Sequence, residues 1–405
     1  MSEKENPKVK ISCKNVWKVF GSNPKQALES IDDTMTKKEI LEETGNIIAV
    51  KDVSFDVHEG EIFVVMGLSG SGKSTLARCF NGLYTPTKGN VIIDGIDLAA
   101  MGKKELRMVR RNKISMVFQH FALFPHRTIL DNVAYGLELQ NIEKSKRYER
   151  AMEVLELVSL SGWEKNYPDE LSGGMQQRVG LARALALDPE ILLMDEPFSA
   201  LDPLIRRQMH DEFIQLMTKV RKTIVFISHD LNEAMRLGSR IAIMKDGKIE
   251  QIGTPEEIVC QPGSEYVCEF IRDISREKVV KVKSIMIEPS RTIKNSLDLE
   301  TALQIIKGEK NEQLFVTGSN GESIGAVNSE DIDKGIALNH IKLSEININK
   351  KYHIGPDQTI EDLIPIMATC DNSVAVIDEN KKFIGEVPRK VLLKALLGKE
   401  NNNAK

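Results

Sequence analysis

The stretch GLSGSGKST, Gly67 to Thr75, fits GxxxxGK[ST] directly after an apolar run and before a helical pattern, the setting that a phosphate-binding loop requires. Glycines at 67, 70 and 72 let consecutive backbone N–H groups turn inward as an anion nest, with Ser69, Ser71 and Thr75 in the same loop. A helix beginning near Lys73 adds its positive end. Lys73 then reaches the β- and γ-phosphates of a nucleotide, and the Ser74 hydroxyl ligates Mg2+. A second apolar run, ILLMDEP from Ile191 to Pro197, ends in two carboxylates. Asp195 at the strand tip suits a contact to the metal, and Glu196 points at the γ-phosphate and its attacking water. LSGGMQQR, Leu171 to Arg178, puts exposed amides and a hydroxyl at a helix start, so that Ser172, Gly173 and Gly174 form a second anion site.

The elements that must carry these residues are legible around them. A strand-like segment, Val9 to Phe20, precedes a polar insertion, Gly21 to Asn46, with a helical pattern in its middle. Buried runs at Ile62 to Leu68, Ile114 to Gln119, Ile191 to Asp195 and Thr223 to Ser228 alternate with helical patterns, which predicts a parallel sheet. Ligands of such sheets sit at the carboxyl ends of the strands, where each of these runs turns polar. A charged connector follows Arg272. Beyond it, FVTGSNGESIGAV (315–327) matches AVIDENKKFIGEV (375–387) at an offset of about 60, each after a helical segment ending near Leu303 or Leu363. That is an internal repeat.

Composition sets the outer bounds. The 405 residues suggest two or three domains, and 41% apolar with 28% charged residues excludes disorder and collagen. A net charge of −4 offers no global basic excess for nucleic acid. No apolar run is long enough to span a membrane, and the charged N-terminus lacks a secretory pattern, so a cytosolic location is expected. The five cysteines, Cys13, Cys79, Cys260, Cys268 and Cys370, form no CxxC pair and read as reduced thiols, most of them core filler.

With LSGGM added to the phosphate loop and the DE pair, the chain resembles the ATP-binding subunits of ABC transporters, whose signature is LSGGQ; Met175 stands where Gln is commoner. The resemblance implies an α/β fold, an ABC-type P-loop ATPase domain with a parallel-sheet core and a helical subdomain, and ATP with Mg2+ as ligands. It implies that Ser172, Gly173 and Gly174 act in trans on ATP held by a second protomer, in a head-to-tail homodimer. It places Gln119 at Mg2+ and the attacking water, Asp202 in the SALD loop at the dimer interface, His229 at the γ-phosphate and Phe20 against adenine.

The insertion, the FPHRT sequence, MDEPFSALDPLIRRQM and the repeat together resemble the ATPase subunits of glycine betaine/proline betaine (quaternary amine) importers. The apolar tract Gln119 to Gln140 is where that family receives its membrane subunits. The implied partners are integral-membrane permease subunits and an extracytoplasmic substrate-binding protein or domain, with this chain peripheral at the cytoplasmic face of the membrane. The repeat resembles a tandem pair of CBS (α+β) modules. Their usual fingerprint is a glycine, two apolar residues, Thr or Ser, and an Asp three positions later. The first copy has Gly325, Ala326, Val327, Asn328 and Asp331; the second has Gly385, Glu386, Val387, Pro388 and Val391. A regulatory nucleotide bound between protomers, such as cyclic di-AMP, would not need that fingerprint. The expected domains are an ATPase domain at 1–272 with its helical subdomain at about 120–180, a linker at 273–281, CBS modules at 282–338 and 339–398, and a flexible tail at 399–405. Rival readings are an importer of another solute, an exporter, a soluble ABC ATPase of DNA repair or translation, and a non-hydrolysing nucleotide sensor. The soluble ATPase would be expected to carry a coiled-coil insertion or two ATPase units, and the sensor would tolerate loss of Glu196 and His229.

Overall fold

A computed structural model describes residues 7–30, 35–119, 121–288, 292–308, 313–346, 348, 353–370 and 373–397. The tail 399–405, positions 31–34 of the insertion and His120 of the apolar tract lie outside the described residues. Two compact units divide the chain near Arg272, with Val259–Gln261 grouped with the second.

In the first unit a six-stranded sheet runs in the order Lys248–Gly253, Arg240–Lys245, Ile62–Met66, Thr223–Ser228, Ile191–Asp195, Ile114–Val117. The first two strands form an antiparallel hairpin; all other neighbours are parallel. The central strands are buried on both faces, hence their continuous apolar runs. One face packs against the helices Ile129–Leu139, Lys144–Leu157, Gly173–Ala186 and Pro203–Val220. The other carries the helix Lys73–Phe80 and a four-stranded sheet built on Val9–Phe20 and Ile47–His58. The run read as ending at Gln119 stops as a strand at Val117, the last residue with a partner in the neighbouring strand, opposite Met194. Phe118 and Gln119 project beyond the ladder, exposed.

The insertion folds into two short helices, Pro24–Ser30 and Lys37–Thr44, over a small core of Val19, Ala27, Ile40 and Ile48. In the apolar tract the FPHRT turn is held from inside. Asn132 is buried, accepts from the Phe124 N–H, and donates to the carbonyls of Phe124, Arg127 and Thr128.

The second unit repeats one motif at an offset of 60 residues. Thr292–Lys294, Gln313–Thr317 and Ser323–Asn328 form one sheet; His353–Ile354, Ser373–Ile377 and Phe383–Pro388 form the other. Each pairs parallel and then antiparallel, with a register irregularity at the same place, Val316/Thr317 and Val376/Ile377. The helices expected to end near Leu303 and Leu363 run on to Gly308 and Ala368, because Ile306 and Met367 continue their buried faces. The stretch read as a linker, 273–281, is tied into this unit. Val280 is buried and its carbonyl accepts from the Ile360 N–H at 3.0 Å, while Val282 N–H donates to Gln358 and Ile287 exchanges bonds with Glu386. The start of the first repeat thus closes the second one.

Among the described residues no helix is long and apolar enough to cross a membrane. All five cysteines are free thiols, with Cys13, Cys79 and Cys370 buried. Beneath the strand ends Phe213, 1% exposed, packs against Phe198 and Phe226 with ring centroids 5.9 and 6.2 Å away. Phe213→Ala should lower unfolding free energy by about 3–5 kcal/mol in urea titrations; a loss below about 1 kcal/mol would show that the cluster collapses into the space.

Candidate nucleotide site

The sheet register brings four strand ends side by side. Met66 lies opposite Ser228, Asp195 opposite Ile227, and Val117 opposite Met194. The residues that follow are Gly67, His229, Glu196 and Phe118, so the phosphate loop, both acidic residues, the histidine and Gln119 share one edge.

The loop itself is shaped by backbone conformations that a side chain would oppose. Gly67 has φ 151° and Gly72 φ 105°, and a Cβ on either would run into a carbonyl, that of Met244 or of Ala49. The helix Lys73–Phe80 starts immediately after, so its free N–H groups face the loop's concave side. Lys73 is buried and its ammonium donates to the loop's own carbonyls, Gly67 at 2.9 Å and Leu68 at 3.0 Å. Burial lowers its pKa, against the pull of the Glu196 and Asp195 charges. A buried cation with carbonyls as its hydrogen-bond partners, at the mouth of an amide nest, fits a polyphosphate.

Ser74 donates to Asp195 Oδ1 at 2.9 Å, joining two oxygens of the kind that hold Mg2+. Glu196 sits at φ 48°, a left-handed conformation rarely taken by such a residue, with its N–H on the Ile227 carbonyl at 3.0 Å. That turn swings its carboxylate onto His229, where Oε2 meets Nδ1 at 2.8 Å.

The other expected residues stand apart within the chain. Ser172 is exposed and caps its helix, accepting from Met175 N–H at 3.4 Å; Gly173 and Gly174 form the first turn. Asp202 caps Pro203–Val220 through the Leu204 and Ile205 N–H groups. Phe20 ends its strand edge-on to Tyr84, centroids 5.3 Å apart, with the Lys18 ammonium 5.1 Å over its ring. Gln119 is exposed.

Sequence reasoning passed over the groups that hold these side chains in place. Ser199 Oγ donates to the Glu196 carbonyl at 2.9 Å, and Arg206 gathers the carbonyls of Phe198, Ser199 and Leu201. Behind His229, buried Glu233 takes the Ser228 hydroxyl and pairs with His210 Nε2 at 2.6 Å. Glu233 had a visible signal, three residues after the helix cap Asp230; His210, on another helix, had none.

Comparison with known proteins agrees with this geometry. The ABC transporter family profile matches residues 50–199 and the CBS domain profile residues 343–398. The chain is 48% identical to the glycine betaine transport ATP-binding protein OpuAA of Bacillus subtilis, over 98% of this chain and 94% of that one. The chain belongs to the family of glycine betaine transport ATP-binding proteins of ABC transporters. The glycine betaine/carnitine transport ATP-binding protein GbuA of Listeria monocytogenes is 45% identical over 97% of this chain and 99% of its own. Such coverage takes in the insertion and the C-terminal repeat as well as the ATPase motifs. Among solved structures, an ATP-binding cassette in a dimeric post-hydrolysis state bound to ADP and Pi is 35% identical, covering 60% of this chain and 98% of that one, with a TM-score of 0.51.

In this ABC ATP-binding protein the Asp195 carboxyl titrates above its ordinary range. Burial is the largest cause and Glu196 adds to it; the Ser74 hydroxyl and the charges of Arg78 and Lys73 oppose. A carboxyl whose pKa is raised by folding contributes stability below its unfolded pKa, about 4, and loses it as pH rises through the folded value. At neutral pH the ionised side chain therefore weighs against the fold. Asp195→Asn should raise the thermal midpoint at pH 7 without nucleotide or Mg2+, with a gain that shrinks as pH falls toward about 4. A lower midpoint at pH 7 would instead make the anion a structural tie.

Proposed function

We propose that this chain is the ATP-hydrolysing subunit that powers a membrane ABC importer for a quaternary amine or similar compatible solute. One observation carries the chemistry: Lys73, the Ser74–Asp195 pair and the Glu196–His229 pair stand on adjacent strand ends of one sheet. The phosphate loop from Gly67 to Thr75 binds the phosphates, and Lys73 neutralises charge on the β- and γ-groups. Ser74 and Asp195, with Gln119, would hold Mg2+, which when bound would supply further neutralisation of the phosphate oxygens. Glu196 accepts a proton from water as the water oxygen bonds to the γ-phosphorus and the bond to the bridging oxygen breaks, releasing ADP and phosphate. His229 Nε2 holds a γ-phosphate oxygen through that step.

The exposed, self-capped Ser172–Gly174 turn supports a head-to-tail homodimer in which each signature closes on the partner's ATP and Asp202 lies at the shared interface. The dimeric state of the 35% identical cassette supports the same assembly. Phe20 stacks on adenine. Permease subunits dock on the tract from Gln119 to Gln140; Phe118 is exposed just before it, and within it Ile129 and Leu130 are hydrogen-bonded to the loop that carries the exposed Trp163 and Tyr167. The chain is then peripheral at the cytoplasmic face, and an extracytoplasmic binding protein or domain delivers the solute. The names of the relatives favour glycine betaine, with carnitine and proline betaine as neighbours in chemistry.

The C-terminal pair is the regulatory module. In its first copy Asn328 caps the helix Ser329–Ala337 and Asp331 returns to the Asn328 N–H, so the acid of the fingerprint is engaged locally. That favours a ligand shared between protomers, such as cyclic di-AMP, over a mononucleotide held within one.

Glu196→Gln should keep ATP binding, run as a dimer on size exclusion with ATP and Mg2+, and lower hydrolysis by about 100-fold or more. Unchanged hydrolysis would remove Glu196 from the role of base.

A further inference from the structure

The insertion between Phe20 and Ile47 reaches the phosphate loop. Its second helix opens on a capping box, with the Thr36 hydroxyl accepting from Glu39 N–H and Glu39 accepting from Thr36 N–H at 2.7 Å, and it closes on Gly45 at φ 66°. Ile40, 1% exposed, pins it to Val19 and Ile48. Lys37, the first residue of this helix, is therefore delivered from a fixed backbone. Its ammonium donates to the Gly70 carbonyl at 3.1 Å and lies 3.9 Å from Asp246. The next residue of that turn, Gly247, donates its N–H to the Ser71 carbonyl at 2.9 Å. Two successive carbonyls of the loop are thus gripped from groups outside it.

Gly70 has φ 78°, a conformation open chiefly to glycine, and the N–H end of its peptide, on Ser71, donates to the Leu68 carbonyl at 3.2 Å. The Lys37 bond holds the carbonyl end of the same peptide, so both of its polar groups are tied and its orientation in the loop is fixed. Burial lowers the pKa of the Lys37 ammonium, with Asp246 opposing; a partly dehydrated cation beside an anion nest adds to the attraction for phosphate.

We propose that Lys37 is a positioning residue of the nucleotide site, through which the N-terminal insertion holds the phosphate loop in its anion-binding shape and sets ATP affinity without entering the hydrolytic step. This rests on reading the loop as an ATP site.

The test uses the full-length chain as wild type, Lys37→Ala, Lys37→Arg and Lys73→Ala, with ATP binding by calorimetry, steady-state hydrolysis, and thermal midpoints without nucleotide. Lys37→Ala should raise both Kd and KM for ATP by about threefold to tenfold, the loss of one charged hydrogen bond at a half-exposed site, with kcat within about twofold. Lys37→Arg, which keeps charge and donor, should recover most of the affinity, and the midpoint should move by less than about 2 °C. Unchanged Kd in Lys37→Ala, a loss confined to kcat, or an arginine variant as weak as the alanine one would overturn the assignment. If wild type binds ATP no better than Lys73→Ala, the ATP reading itself falls; if wild type binds and Lys37→Ala matches it, only the role of Lys37 falls.

Discussion

The parallel register of Ile62–Met66, Thr223–Ser228 and Ile191–Asp195 is the constraint on which the chemistry depends. Opposed pairs such as Met66 with Ser228 and Ile227 with Asp195 leave the following residues at one height along the sheet edge. A slip of one residue would shift Asp195 and Glu196 along the edge by one residue and swap the face that each side chain presents, separating them from Ser74 and His229. Continuous apolar runs do not set register by alternation, so other contacts must do it. Glu61 contributes, with its carbonyl on Ile224 N–H at 2.8 Å and its carboxylate on Arg240 and His58.

Around that edge the structure accepts local disadvantage. Glu196 stands in a left-handed conformation without being glycine, Asp195 is an acid raised by burial, and Lys73 is a cation lowered by it. Strain of the Glu196 kind runs to roughly 1–3 kcal/mol. It persists because neighbours over-determine the turn: Ile227 takes its N–H, Ser199 its carbonyl, and Arg206 the carbonyls that follow. Removing any one of these leaves the others in place, whereas relaxing Glu196 itself would break its bond to His229. The network His210–Glu233–Ser228 does the same for the strand end that carries His229.

What could be read in the sequence divides along the distance over which each signal acts. The phosphate loop, the strand Val9–Phe20, the DE pair and the 60-residue repeat are local patterns, and each is found where the pattern lay. Strand and helix ends were less legible: Gln119 lies beyond its strand, and Leu303 and Leu363 lie inside their helices, since the partner that ends a strand or buries a last turn is far along the chain. Lys37 and His210 were invisible for the same reason. Each acts on a residue that only folding brings near, 33 positions away for Gly70 and 23 for Glu233. The segment 273–281 shows the converse case. Its charge pattern looks like a tether, yet Val280 is buried and its carbonyl bonds to the second repeat, because a charged stretch with one buried valine can serve as an edge as well as a connector.

The repeat adds a point about what likeness of fold conveys. The two copies agree in pairing order, in the position of the register irregularity and in a glycine opposite Val316 or Val376. They differ where a ligand would be read. Asn328 caps one helix and accepts from Asp331 N–H, whereas Pro388 offers no side-chain cap to the other, and Val391 replaces the acid. Architecture and recognition have therefore separated: the scaffold needs the apolar core of Leu314, Val316 and Val327 and its counterparts Val374, Val376 and Val387, all buried. The polar positions at the helix starts are free of that need. The two halves therefore share a scaffold and present different groups at their helix starts.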